Sequence, residues 1–344
     1  MAVGSLGKRM KTMFVFTVDV ESRAHGDPRS DILGILPDYE ERYGIEKIMS
    51  MLEAYQVRGT FFLNVYEAAK HGEVAVAGAA RLIHSRGHDL ELHSHPQPMY
   101  PHYGMCHAPL VNQIAILNKG ISLLESWTGK TVLAHRAGAF AANVDTLRAC
   151  ESVGLLADCS LSPGSLVSVP LVHELGVSNL VRRIGKVWEI PVTYYHQLRV
   201  GRWHSKRILD IEGSSLPEIK RVTRWALRQS LPTVCVLMHS FSLSRHGKPN
   251  RRVIRRLSAL LTWLHKCDGI EIGTIEQACH RLDQNAIPKV ISGEPSTGLL
   301  LTWGRALLAW NDGWRNRLVA MTGMTGLAVL TLVLVYLCLT LLKH

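Results

Sequence analysis

The chain has 344 residues, 47% of them hydrophobic, and 39 Lys and Arg against 28 Asp and Glu give a formal charge of +11. That length can bury a substantial core and accommodates one large catalytic domain with an appendage. Seven scattered cysteines without C-x-x-C spacing fit a reducing compartment and exclude a cysteine-built zinc site, and the absence of a recognition motif or aromatic platform beside the cations sets nucleic acid aside as a partner.

In chain order, residues 1–11 form a basic extension, and the apolar run after it is interrupted by Asp19 and Glu21, too short and too acidic for a signal peptide. Apolar, β-branched runs at 13–18, 59–63, 90–93, 131–134, 155–157, 187–190, 233–238 and 270–272 predict strands. Helical patterns lie between many of them, at 40–55, 68–85, 110–127, 144–152, 217–228 and 252–265. This alternation predicts parallel strands in an α/β fold, a closed barrel rather than an open sheet, with working groups at the carboxyl ends of strands.

Polar residues do recur at those ends: Asp19 and Glu21, Asn64, His93 and His95, Arg136, Asp158 and His239. The basic stretch Arg245, Lys248, Arg251, Arg252, Arg255 and Arg256 follows; it suits a solvated helix face, anionic lipid headgroups or a phosphate-bearing substrate. Residues 286–298 read as a linker. Over 299–317, Trp303, Leu307, Trp310 and Trp314 share a helical face from which Arg305, Asp312 and Arg315 lie away, a pattern suited to the headgroup layer. Residues 318–342 carry no charge and as a helix would cross a hydrocarbon core of about 30 Å. With Arg305, Arg315 and Arg317 on its near side, the expectation is a single-pass anchor in a bacterial-type inner membrane, with the barrel in the cytoplasm and the lipid bilayer as a partner.

The informative segment is His93-Ser94-His95-Pro96. Alternate strand residues share a face, so two imidazoles two positions apart can address one ion, and Pro96 ends the ladder. Asp19 and Glu21 are also two apart, so one carboxylate can complete the metal site while its neighbour stays free as a base. Two imidazoles and a carboxylate with open positions suit a divalent ion, Zn²⁺ first. His239 is then available to protonate a leaving group, and Arg136 to hold the base by a bidentate ion pair. His102, in the loop beyond, is the reserve for the second imidazole.

The wording and order of these segments resemble the polysaccharide deacetylase family, carbohydrate esterase family 4, over about residues 12–285. Thr17-Val18-Asp19-Val20-Glu21 resembles its first motif, Arg136-Ala137-Gly138-Ala139-Phe140 its third, Asp158-Cys159-Ser160-Leu161-Ser162-Pro163-Gly164 its fourth and Leu237-Met238-His239-Ser240 its last. Trp188-Glu189-Ile190-Pro191-Val192 is similar to the strand that often precedes the last. The usual metal motif has histidines four apart, where this chain has Gln97. The resemblance implies a distorted (β/α) barrel of about seven strands, Asp19 as base, Glu21 as metal ligand beside His93 and His95, Arg136 orienting the base and His239 as acid. Asn64, Phe140, Asp158 and Arg245 are assigned to the substrate. The implied function is removal of an acetyl or formyl group from an amino sugar, carried on a polyprenyl phosphate if the barrel is moored at the inner face. An outer-face deacetylase and a non-catalytic carbohydrate-binding barrel are the alternatives.

Overall fold

The computed structural model describes residues 11–101, 104–162, 169–176, 178–200, 203–288, 290–308 and 326. Its strands are β1 (Thr12–Val20), β2 (Thr60–Asn64), β3 (Asp89–Ser94), β4 (Ala134–Ala137), β5 (Ala157–Asp158), β6 (Arg182–Ile184), β7 (Val187–Glu189), β8 (Tyr194–Val200), β9 (Trp203–Ile208), β10 (Thr233–His239), β11 (Ser244–Arg245), β12 (Lys248–Pro249) and β13 (Ile270–Gly273). The main sheet runs β10-β1-β2-β3-β4-β5-β7-β6, parallel throughout except for the β6–β7 pair. β1, which pairs with β10 and β2 and at its start with β13, has all nine residues buried, the near-continuous apolar reading expected of a parallel strand covered on both faces.

The ladder is a half-barrel rather than a closed one. Between β7 and β10 the gap is bridged by irregular chain: Thr193 N–H donates to the Cys235 carbonyl (3.2 Å), Leu237 N–H to the Leu209 carbonyl and Ile211 N–H to the Leu237 carbonyl (both 2.9 Å). One face of the sheet packs Phe14, Phe16, Val18, Leu63 and Leu92 against helices. The other face packs Met13, Val15, Phe62, Ala134, Ala157 and Cys235 inside the half-barrel, where Ile275, Ala278, Cys279 and Leu282 of the helix Ile275–Gln284 join them.

Two local differences from the sequence expectation have clear causes. β4 begins at Ala134 rather than at 131, because the Leu133 and Ala134 N–H groups donate to Glu91 Oε2 (2.8 and 2.7 Å). A buried carboxylate thus replaces the ladder over the approach to this strand. The hairpin β8–β9 follows Pro191, where the sequence carries no alternation strong enough to announce it.

A second unit comprises His196–Ser205 and Ser296–His344. Within it, Thr297 N–H donates to the His196 carbonyl (3.0 Å), and the Thr302 hydroxyl bonds the Gln197 carbonyl. Its helix Gly298–Leu308 buries Arg305 (4% exposed), the cation expected to point away from an apolar face. Eleven residues reach about 16 Å as a helix, half of a hydrocarbon core. Residues 318–342 lie outside the described residues except for Gly326. No helix among the described residues is long and apolar enough to cross a membrane, so the single-pass anchor, the bilayer partner and the inner-membrane and cytoplasmic placement argued from it are corrected.

Close packing behind β3 makes a specific demand. The helix Leu110–Thr128 crosses near Tyr66, whose hydroxyl donates to the Ile116 carbonyl (2.7 Å). A Cβ at Gly120 would lie 2.5 Å from Tyr66 Oη and 2.8 Å from Leu92 Cδ1. Gly120→Ala is expected to cost about 1–3 kcal/mol through overpacking, read as a lowered urea midpoint at unchanged slope.

Candidate metal and catalytic site

Period-two alternation sorts the polar strand ends by face. On β1, Met13 and Val15 line the interior, and by the same alternation Thr17, Asp19 and Glu21 continue that row upward. β3 contributes His93, above the buried Glu91, and then His95; β4 contributes Arg136, above Ala134, and then Gly138; β10 contributes His239, above Leu237 and Cys235.

Glu21 Oε2 lies 2.9 Å from His95 Nε2 and 3.3 Å from His93 Nε2. One donor atom from each of these three residues falls within 4.8 Å of the others, a set that fits a divalent ion. His93 Nδ1 donates to the Arg136 carbonyl (3.0 Å), which fixes the tautomer and turns the Nε2 lone pair toward Glu21; that Nε2 is buried and has no hydrogen-bond partner. Burial pushes the Glu21 carboxyl upward in pKa, but the nearby His93 and His95 imidazoles outweigh it and hold the group well below its ordinary range. An ionised carboxylate and a partnerless buried nitrogen aimed at it are what a bound cation would satisfy. His95 is further held by its backbone N–H donating to Asn64 Oδ1 (3.3 Å), and Asn64 Nδ2 donates to Glu67 Oε1 (3.1 Å).

Asp19 sits beside this cluster, 4% exposed. Arg136 Nη1 donates to Asp19 Oδ1 (2.7 Å) and Thr17 Oγ1 (3.1 Å), while Arg136 Nε donates to the Cys159 carbonyl (3.1 Å). The expected bidentate pair is therefore a single bond, because the other donors of the fork are spent elsewhere or, for Nη2, left without a partner. The fully buried guanidinium lies 4.3 Å from the centre of the Phe62 ring and 5.8 Å from that of Phe140.

Across from Asp19, His239 Nε2 lies 4.0 Å from Glu21 Oε1, and its Nδ1 is 3.0 Å from Glu212 Oε1. Ser242 supports both partners, its hydroxyl donating to Glu212 (2.6 Å) and accepting the His239 N–H (2.8 Å). Burial alone would lower the His239 pKa, but the bond and charge of Glu212, with Asp19 and Glu21 beyond, raise it to about 9. Glu212 escaped the sequence reading. It lies in the turn after β9, at no strand end, and only the fold brings it to a histidine 27 positions away. Arg256 Nη1 fixes that turn by donating to the Ile211 and Glu212 carbonyls (2.6 and 2.8 Å).

The structure thus gathers Asp19, Glu21, His93, His95, Arg136 and His239. Of the residues assigned to substrate, Asn64 instead braces His95, and Phe140 packs near Arg136 with a left-handed backbone (φ 58°). Asp158 is corrected: it is fully buried on the opposite face of the sheet, bonded to His135 (2.6 Å). A strand end locates a residue along the strand, and alternation decides which face it takes. Arg245 lies in the β11–β12 hairpin that precedes the helix Arg251–His265. His102 lies outside the described residues.

Gly138 is part of this geometry, since a Cβ there would lie 2.4 Å from three ring atoms of His95. Gly138→Ala should leave a folded protein with His95 displaced and divalent-ion affinity reduced about 10-fold or more, measured by Zn²⁺ titration beside a thermal melt.

Residues 27–157 match the family described as polysaccharide deacetylase. No match is found among the curated proteins. A Mycobacterium smegmatis structure provisionally assigned as a polysaccharide deacetylase superposes with a TM-score of 0.51 at 18% identity, covering 84% of this chain and 97% of its own. A 4-alpha-glucanotransferase from Thermococcus litoralis gives 0.50 at 10% identity over 79% of this chain and 41% of its own. A family 4 carbohydrate esterase pseudoenzyme from Bacillus anthracis gives 0.43 at 15% identity, over 79% and 66%. At these identities the first two solved structures speak to the fold alone. Residues 27–157 are thus similar to the polysaccharide deacetylase family, the one whose motif order the sequence resembles.

Proposed function

We propose that this protein is a metal-dependent hydrolase that removes an acetyl or formyl group from the nitrogen of an amino sugar. The observation that carries the reading is the convergence of Glu21, His93 and His95, with Asp19 on one side and His239 on the other. A divalent ion held by those three residues, Zn²⁺ by its donor set, would polarise the acyl oxygen and acidify water.

The residues divide the remaining work. Asp19, tethered through Oδ1 by Arg136, accepts the proton of the attacking water at Oδ2. Water adds to the acyl carbon, and His239 then gives its Nε2 proton to the leaving nitrogen as the carbon–nitrogen bond breaks, releasing the carboxylate product and the free amine. Glu212 holds His239 by Nδ1 so that Nε2 faces the reacting centre. The lipid-linked form of the substrate was argued from an anchor that is corrected above, so the sugar's carrier is left open in this reading.

The test uses the full chain with Zn²⁺ and N-acetylated or N-formylated amino-sugar oligomers, following release of acetate or formate. Asp19→Asn and His239→Gln should each lower turnover about 100-fold or more while metal content is unchanged; Glu21→Gln should lose the metal. Retention of metal by Glu21→Gln and its loss from Asp19→Asn would exchange the two carboxylate roles. A metal-loaded parent that binds these sugars without turnover is a carbohydrate-binding barrel instead.

The pH dependence has a definite sign. The acid must be protonated, and the raised His239 value keeps it so up to about pH 9. The same pair contributes stability that is fully present below the free-imidazole pKa of about 6.5 and is lost as pH rises through about 9. Glu212→Gln should therefore move the alkaline limb of the rate profile down toward about pH 6.5, with little change in metal content.

A further inference from the structure

On the helix-facing side of the sheet, behind the metal ligands, a row of buried polar groups takes no direct part in that chemistry. His135 of β4 is in register with Asp158 of β5, and Asp158 with Glu189 of β7, so three side chains stand abreast on adjacent strands, all fully buried. His135 Nδ1 is 2.6 Å from Asp158 Oδ2, and His135 Nε2 is 2.7 Å from the hydroxyl of Ser94, the residue between His93 and His95. Ser160 closes the other side of Asp158 with its N–H on Oδ1 and its hydroxyl on Oδ2 (both 3.0 Å), and Leu161 N–H donates to Glu189 Oε1 (2.8 Å).

We propose that Glu189, Asp158, His135 and Ser94 form a buried positioning chain that sets the orientation of the His93 and His95 ligand pair; this rests on the metal-hydrolase reading above. The bonds order themselves from one end. An ionised Asp158 can only accept, so His135 donates through Nδ1 and its Nε2 accepts the Ser94 hydroxyl proton. Clamping Ser94 to the outer face fixes the twist of the β3 end, and alternation then sends His93 and His95 to the inner face together.

At the far end, two adjacent buried carboxylates cannot both ionise. Asp158 has His135 and Ser160, so Glu189 keeps its proton, and burial and the Asp158 charge push its pKa well above the ordinary value. Its Oε2 receives no donor, which leaves it as the oxygen free to carry that proton.

Two other readings of the row fit less well. As a metal site, His135, Asp158 and Cys150 would need ligand atoms spaced around an ion at about 2.0–2.3 Å from each, whereas 2.6 Å between Nδ1 and Oδ2 is a hydrogen bond and Nε2 is spent on Ser94. As a stabilising device it is poor, since buried polar rows are commonly matched or bettered by apolar residues of similar volume. What such a row supplies is direction.

The experiment is Zn²⁺ titration of the full chain carrying Ser94→Ala, His135→Phe or both, with a thermal melt of each. Each single change should weaken Zn²⁺ binding about 10-fold, and the pair should lose no more than either alone, because the two residues act as one unit. Ser94→Thr restores the hydroxyl and should restore affinity. Glu189→Gln, whose amide keeps one donor and one acceptor in place of the protonated acid, should match the parent, while Glu189→Leu should not. Parent-like affinity in a folded Ser94→Ala protein, or losses that simply add in the double variant, would overturn the positioning chain. Failure of the parent itself to bind Zn²⁺ would overturn the hydrolase reading instead, so the two are told apart.

Discussion

Arg136 ties the site together through both of its ends. Its side chain, fully buried between Phe62 and Phe140, holds Asp19, and its backbone carbonyl receives His93 Nδ1–H. A buried guanidinium is expensive to desolvate and persists only when its charge is paired and its donors are used. Here Asp19, Thr17 and the Cys159 carbonyl meet most of that requirement. The strand that carries Asp19 and the strand that carries His93 are therefore referenced to one residue of β4. Displacing it would disturb both side chains at once.

The parallel sheet adds a second constraint, which is that every strand offers two faces with different neighbours. Facing inward, the strand ends place Asp19, Glu21, His93, His95 and His239 around one small volume. Facing outward, the same stretch of sheet carries Ser94, His135, Asp158 and Glu189 beneath apolar helices. The two polar rows are separated by the thickness of the sheet and joined by the backbone of β3 and β4. In the proposed positioning chain, the side chains on one face are oriented from the other, where solvent does not reach.

Much of this was legible in the residues. The alternation of apolar strands and amphipathic helices announced an α/β fold, and the strand-end positions of Asp19, Glu21, His93, Arg136 and His239 announced which side chains would gather at one end of the sheet. Other features were not, for identifiable reasons. Glu212 lies in a turn, where no periodicity marks a side chain as functional. β4 starts late because Glu91, 42 residues earlier, takes the Leu133 N–H. Asp158 looked like its neighbours at the strand ends because position along a strand is visible in a sequence, whereas the partner waiting on the far face is not.

By itself, the sequence determined the local matters: which runs become strands and helices, which residues fall at strand ends, and which pairs two apart share a face, because these follow from short-range periodicity. Tertiary structure alone decided the pairings across long separations. His239 took Glu212, Glu21 took both imidazoles, Asp158 turned to His135, and the sheet stopped at a half-barrel bridged by irregular chain. Those outcomes depend on register between strands and on which groups must find hydrogen-bond partners once water is excluded, and neither is written in any local stretch of the chain.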